Sequence, residues 1–249
     1  MSPGAAARPV AILISGRGSN MRVLVERSLI PGAAYRVVKV FSDQAAAEGL
    51  GTARGLGVPA EALTPASVAA AAHTGAGHSG SAGTGAAAHG AGAAAAGARL
   101  AYDRALASAL DACSPALIVL AGFMRILSPE FVAHFGGRVL NIHPSLLPKF
   151  PGLHTHRRAL EAREAEHGAT VHFVTEQLDG GPRIIQARVP VRPDDDETSL
   201  ARRVQAGEHR IYPLAVEWFC TGRLRFQDGR AWLDGRPLTE PVDLAQSAA

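Results

Sequence analysis

Asn141 and His143 stand two residues apart at the end of an apolar run, in Asn141-Ile142-His143-Pro144-Ser145-Leu146-Leu147-Pro148. Residues 117–121 and 139–142 read as short buried strands. Alternate residues of a strand point to the same face, so Asn141 and His143 are expected to face one site. Pro144 and Pro148 then end the strand and stiffen the loop. An amide donor beside a group that titrates near neutral pH suits acyl chemistry, since one polarises a carbonyl and the other moves a proton. The plain structural alternative is a turn with a capping Asn and a surface His. Leu178-Asp179-Gly180-Gly181 is likewise a good turn signal on its own. Placed beside His143, however, the Asp179 carboxylate would orient the imidazole and favour its charged form. Asn, His and Asp together are the set that stabilises a tetrahedral adduct and shuttles its protons.

A second constellation, Ser15-Gly16-Arg17-Gly18-Ser19-Asn20, follows one apolar run and opens a helical pattern. Its glycines let backbone N–H groups converge, and the helix N-terminus adds partial positive charge, which suits a phosphate. It is neither GxGxxG nor a P-loop, so a phosphate monoester is expected over a dinucleotide or a nucleoside triphosphate. Ser19 or Asn20 could also serve as a plain helix cap.

The elements that must position these groups alternate. Strands are expected at 10–14, 37–41, 58–63, 117–121, 139–142, 170–174 and 184–191. Helices are expected around 21–25, 45–56, 100–114, 128–135, 155–165 and 197–221, with Gly207 and Pro213 as possible breaks in the last. This predicts an α/β fold with a Rossmann-like, mostly parallel sheet covered by helices on both faces, closed by a C-terminal helix and a hairpin around Asp228-Gly229. Residues 64–98 collapse into Ala, Gly, Ser and His without periodicity, and are expected to be a flexible insertion of about 65–98 in a single domain spanning 8–235. Its His73, His78 and His89 are expected to be solvent exposed rather than metal ligands. Residues 1–7 and 236–249 are expected to be flexible tails.

The chain has 249 residues, 47% of them hydrophobic, enough for a sizeable core. Its charge of +3 comes from 25 basic and 22 acidic residues without a dense basic block, which argues for a small anionic ligand over nucleic acid. Cys113 and Cys220 lack metal or disulfide spacing and are expected to be helix filler. No stretch approaches the ~20 apolar residues of a membrane span and no leader pattern opens the chain, so a cytoplasmic location is expected.

Six stretches carry a resemblance: residues 14–20, 120–127, 141–148, His172-Phe173-Val174, 178–182 and 208–213. In this order, over about residues 10–233, they resemble the phosphoribosylglycinamide formyltransferases, folate-dependent enzymes of purine synthesis. The resemblance implies formyl transfer from 10-formyltetrahydrofolate, as co-substrate, to the amine of N1-(5-phosphoribosyl)glycinamide. Asn141, His143 and Asp179 would be catalytic. Gly18, Ser19 and Asn20 would hold the phosphate, and Gln205, Ala206, Gly207 and Glu208 the rest of that substrate. Met124, Arg125, Ile126, Leu127 and Asn141, with Thr175, Glu176, Gln177, Leu178 and Asp179, would receive the folate, and Arg99 would meet its tail. Arg17 stands where Asn is common in bacterial members, and the insertion falls just before Arg99. Small-molecule partners are implied, with no metal, nucleic acid or membrane, in a monomer or homodimer. A formyltetrahydrofolate deformylase or a transfer-RNA formyltransferase could share Asn141, His143 and Asp179. Those relatives carry an additional N-terminal or C-terminal domain, so the glycinamide ribonucleotide is the expected acceptor. A binding module on the same fold would have no chemical need of all three residues.

Overall fold

Val10-Ala11-Ile12-Leu13-Ile14 has no polar side chain on either face, the pattern of a strand covered on both sides, and all five are fully buried in β1 (Arg8–Ile14). In this computed structural model the described residues are 6–75 and 87–244, with side chains described for 6–71 and 95–244. After β1 come α1 (Ser19–Ser28), β2 (Tyr35–Ser42), α2 (Glu48–Gly55), β3 (Ala60–Ala62), α3 (Pro65–Gly75) and α4 (Ala87–Asp111). The middle of the chain gives β4 (Leu117–Leu120), α5 (Pro129–His134), β5 (Val139–His143), α6 (Thr155–Glu161), β6 (Glu166–Phe173) and β7 (Arg183–Pro190). It closes with α7 (Glu197–Cys220), β8 (Leu224–Gln227), β9 (Arg230–Leu233), β10 (Arg236–Pro237) and β11 (Val242–Leu244).

Eight strands form one sheet in the order β11-β7-β6-β5-β4-β1-β2-β3, parallel except for β6, which runs against both neighbours. Alternation along β1 divides the core between the two faces. Val10, Ile12 and Ile14 join the cluster under α1 and α7, whereas Ala11 and Leu13 join Tyr102, Leu106 and Leu110 of α4 and Phe131 of α5. The chain leaves β1 for β2 on one side and returns to β4 on the other. Such a reversal opens a crevice at the carboxyl ends of the strands. Ser15, Ala121 and Asn141 all lie there.

Three expectations need correction. Residues 64–98 are not without regular structure, because α3 and the first turns of α4 occupy most of the described part. Thr64 and Ser67 exchange backbone-to-side-chain hydrogen bonds of 3.0 Å as a reciprocal cap, Pro65 stands at the first helical position, and Val68 packs into the core. Alanine, the best helix former, extends a helix without any apolar stripe, which is why periodicity missed these turns. Residues 76–86, including His78, and the side chains of His73 and His89 lie outside the described residues. Second, the expected tail from 236 is partly a strand: β11 pairs in parallel with β7, and Asp243 Oδ2 accepts from Arg188 Nε at 2.6 Å. Residues 1–5 and 245–249 are not described. Third, α7 is unbroken. Gly207 allows close approach to β7, since a Cβ there would stand 2.9 Å from Cβ of Ala187. Pro213 forgoes one hydrogen bond inside a segment held by buried Ile211, Tyr212, Ala215 and Val216. Cys113 lies just past α4 and Cys220 ends α7, both as free thiols. No helix among the described residues is long and apolar enough to cross a membrane.

Candidate active site

Asn141 and His143 emerge from β5 on the same side, as period two requires, into a cavity of about 450 Å³ that both line. Asp179 reaches them from the β6–β7 connection, where it adopts φ +50, a left-handed conformation that Asp tolerates better than most residues. Its Oδ2 lies 3.4 Å from Nδ1 of His143 and accepts a 2.8 Å hydrogen bond from the Gly152 N–H. The carboxylate thus holds both the imidazole and the loop beyond the prolines. His143 Nε2 donates to the carbonyl of Phe150 at 2.9 Å, so both of its ring nitrogens face protein acceptors.

His172, which lies in one of the resemblance stretches but carries no role from it, completes the group. The antiparallel register of β6 places it directly opposite Asn141. Its Nδ1 is 2.9 Å from the Phe173 carbonyl and must carry hydrogen, and burial lowers its pKa and keeps the ring neutral. Nε2 is therefore an acceptor, and it takes one N–H of the Asn141 amide at 3.1 Å. That bond fixes which end of the amide is the donor and leaves the second N–H of Asn141 available. The signal for His172 lay in strand pairing, which local periodicity does not report.

The glycine loop is built as its sequence suggests. Gly18 caps α1 at φ +72, and a Cβ there would meet Cε of Met21 at 2.9 Å and Cα of Gly49 at 3.2 Å. Neither Ser19 nor Asn20 caps the helix. Ser19 Oγ accepts from Gln205 Nε2 at 3.0 Å, and Asn20 Nδ2 donates to Glu208 Oε2 at 2.7 Å. The first-turn N–H groups therefore have no side-chain acceptor. Burial raises the Glu208 carboxyl, the Asn20 bond opposes it, and Asn20 Oδ1 is buried without a protein partner. These contacts join two groups separated by 186 and 188 residues in the chain. Ala206 is exposed and Gly207 faces β7, so neither makes this contact. None of the loop or α7 residues from Gly18 to Asn20 or Gln205 to Glu208 lines the 450 Å³ cavity.

That cavity is walled by Met124, Arg125, Ile126 and Leu127 on one side and by Thr175, Glu176, Gln177, Leu178 and Asp179 on the other. Met124, Ile126, Leu153 and Leu178 all line it and are all more than half exposed, which gives the cavity an apolar rim. Arg125 is drawn back over the Tyr102 ring at 4.3 Å. Arg99 does not line the cavity and stands exposed on α4. Among the described residues no cluster of three His, Cys, Asp or Glu is placed to hold a metal ion.

A model of the formyl transferase family matches residues 8–216. The chain belongs to that family. This formyl transferase is 47% identical over 229 residues to the phosphoribosylglycinamide formyltransferase of Escherichia coli strain K12, covering 92% of this chain and 95% of that protein. It is 35% identical over 216 residues to the human trifunctional purine biosynthetic protein adenosine-3, covering 87% of this chain and 19% of that longer protein. Among solved structures, the phosphoribosylglycinamide formyltransferase of Coxiella burnetii in complex with CHES superposes with a TM-score of 0.77 at 38% identity, over 95% of this chain and 99% of that one.

Behind the cavity of this formyl transferase, His167 is buried and its Nε2 lies 3.2 Å from Nδ1 of His156. Burial, reinforced by the neighbouring histidines, lowers His167 to about 4. An unfolded histidine titrates near 6.5, so below that pH the unfolded chain binds more protons. Stability is therefore complete above about pH 6.5 and falls as the pH drops toward 4, by about 3 kcal/mol at most from this group. Urea unfolding near pH 7 and near pH 5 should show the loss, and His167→Gln should reduce that slope, with buried His172 supplying a parallel share. An unchanged slope in the variant would remove His167 as its source.

Proposed function

We propose that the chain transfers a formyl group from 10-formyltetrahydrofolate to the amine of N1-(5-phosphoribosyl)glycinamide in de novo purine biosynthesis. The observation that carries the catalytic assignment is the Asp179 carboxylate 3.4 Å from His143, with a donor-oriented Asn141 beside it on the cavity wall. The donor supplies the electrophilic formyl carbon. As the amine attacks that carbon, the free N–H of Asn141 and the charged ring of His143 stabilise the oxygen that gains negative charge. Asp179 holds His143 in place and balances its charge. With Nε2 of His143 bonded to the Phe150 carbonyl and Nδ1 turned toward Asp179, we assign proton transfer toward the departing folate nitrogen to a water. The cavity between residues 124–127 and 175–179, with its apolar rim, suits a flat, ring-bearing donor whose tail extends past that rim. The uncapped first turn of α1 suits the phosphate, and the Asn20–Glu208 pair suits hydroxyl or amine groups next to it. Arg99 would then meet the tail only outside the cavity, and a cytoplasmic location fits an enzyme acting on such small molecules.

The test is to supply purified protein with the formyl donor and, separately, glycinamide ribonucleotide, transfer RNA or water alone. Formylated ribonucleotide is the expected product. Donor hydrolysis that proceeds equally fast without an acceptor would replace the transferase by a deformylase.

A further inference from the structure

Ser15 belongs by sequence to the glycine loop, yet its contacts run to the opposite half of the cleft. Its N–H donates to the carbonyl of Gly122 at 3.0 Å, and its Oγ accepts from the N–H of Met124 at 2.8 Å. A carboxylate can only accept, so the single hydroxyl proton goes to Oδ1 of buried Asp43, at 2.6 Å. Gln44 Nε2 holds the other Asp43 oxygen at 3.2 Å. The hydroxyl is thereby fixed with a lone pair toward Met124.

Residues 122–127 have no regular structure and form one wall of the cavity. Among the described residues, the backbone of 123–127 makes no other hydrogen bond. The wall is anchored at its ends by the sheet, through the Ala121 N–H to the Leu13 carbonyl, and by Ser128, whose N–H donates to Asp103. Between those anchors Ser15 grips it at two points. We propose that Ser15, held by Asp43, is a positioning residue for the formyl donor: it sets the wall that receives the donor while contributing nothing to the acceptor's phosphate. This rests on the assignment of residues 124–127 to the donor.

Loss of one such bond predicts a rise of about 3- to 10-fold in the donor KM for Ser15→Ala. The ribonucleotide KM should stay within about twofold, and Ser15→Thr, which keeps the hydroxyl, should recover most of the donor affinity. A rise in the ribonucleotide KM alone would return Ser15 to the phosphate loop, and equal rises in both would make it merely structural. No change in either would leave the wall independent of it. Any of the three overturns the proposal. Amide hydrogen exchange on the wild-type protein gives a second measurement that needs no variant. Met124 should exchange well below the rate of Arg125, Ile126 and Leu127, and equal rates would also overturn it. Ile126→Asp separates this proposal from the assignment beneath it. If that variant leaves the donor KM unchanged, the wall is not the donor site and both fail. If it raises the donor KM while Ser15→Ala does not, only the role of Ser15 fails.

Discussion

His143→Ala should lower turnover by about two to four orders of magnitude, the usual contribution of one acid–base or charge-stabilising side chain, with a much smaller effect on either KM. The residue lies between Asp179 and the Phe150 carbonyl on the cavity wall, so its removal takes away the group proposed to stabilise the developing oxyanion. Asp179→Asn is the sharper companion. Its amide oxygen can still accept from the Gly152 N–H, which spares the loop, but the balancing charge for His143 is gone. Turnover should again fall by orders of magnitude while the fold persists. His134 provides the control, because it forms a similar pair with Asp111 at 2.9 Å on the surface, and neither residue lines the cavity. His134→Ala should leave turnover unchanged, as exposed pairs contribute little. Near-normal turnover in purified His143→Ala or Asp179→Asn protein would remove the catalytic assignment.

How far this site was legible in the sequence depends on the kind of contact. Asn141 and His143 needed only the alternation of a strand, a local property, and they do face one cavity. The strands themselves were legible because runs such as 10–14 and 117–120 are apolar on both faces. The Ala-rich helix turns were invisible to the same test, since alanine propensity supports a helix that presents no apolar stripe. The partnership of Asn20 with Glu208, and of His172 with Asn141, depends on topology. Nothing in the local pattern of β6 says that it turns back against β5, and only that reversal brings His172 across from the amide. Ser15 opens the glycine motif in sequence, yet its hydroxyl bonds across the cleft to Met124 and Asp43, a partnership that local pattern does not report.

Gly18→Val bears on the other half of the cleft. At φ +72 a β-branched residue is strained by about 1–3 kcal/mol. The first atom of its side chain would meet Met21 Cε at 2.9 Å and the Gly49 backbone at 3.2 Å. Met21 Cε is the end of a flexible side chain and can move, but Gly49 cannot. A Cβ on Gly49 would itself stand 2.5 Å from Ile14 and 3.0 Å from the Gly16 carbonyl, so the two segments are already in close contact. The loop must therefore yield outward, turning its N–H groups away from the first turn of α1. The ribonucleotide KM should rise at least about tenfold, since the several backbone hydrogen bonds proposed for the phosphate would be lost together. Gly18→Ala, with the same strain but less bulk, should give a smaller rise. The donor KM should hold in both, because the donor wall is tied to Ser15 and Asp43 rather than to Gly18. Parallel loss of both affinities would mean a collapsed fold, and loss of the donor alone would exchange the two halves of the cleft.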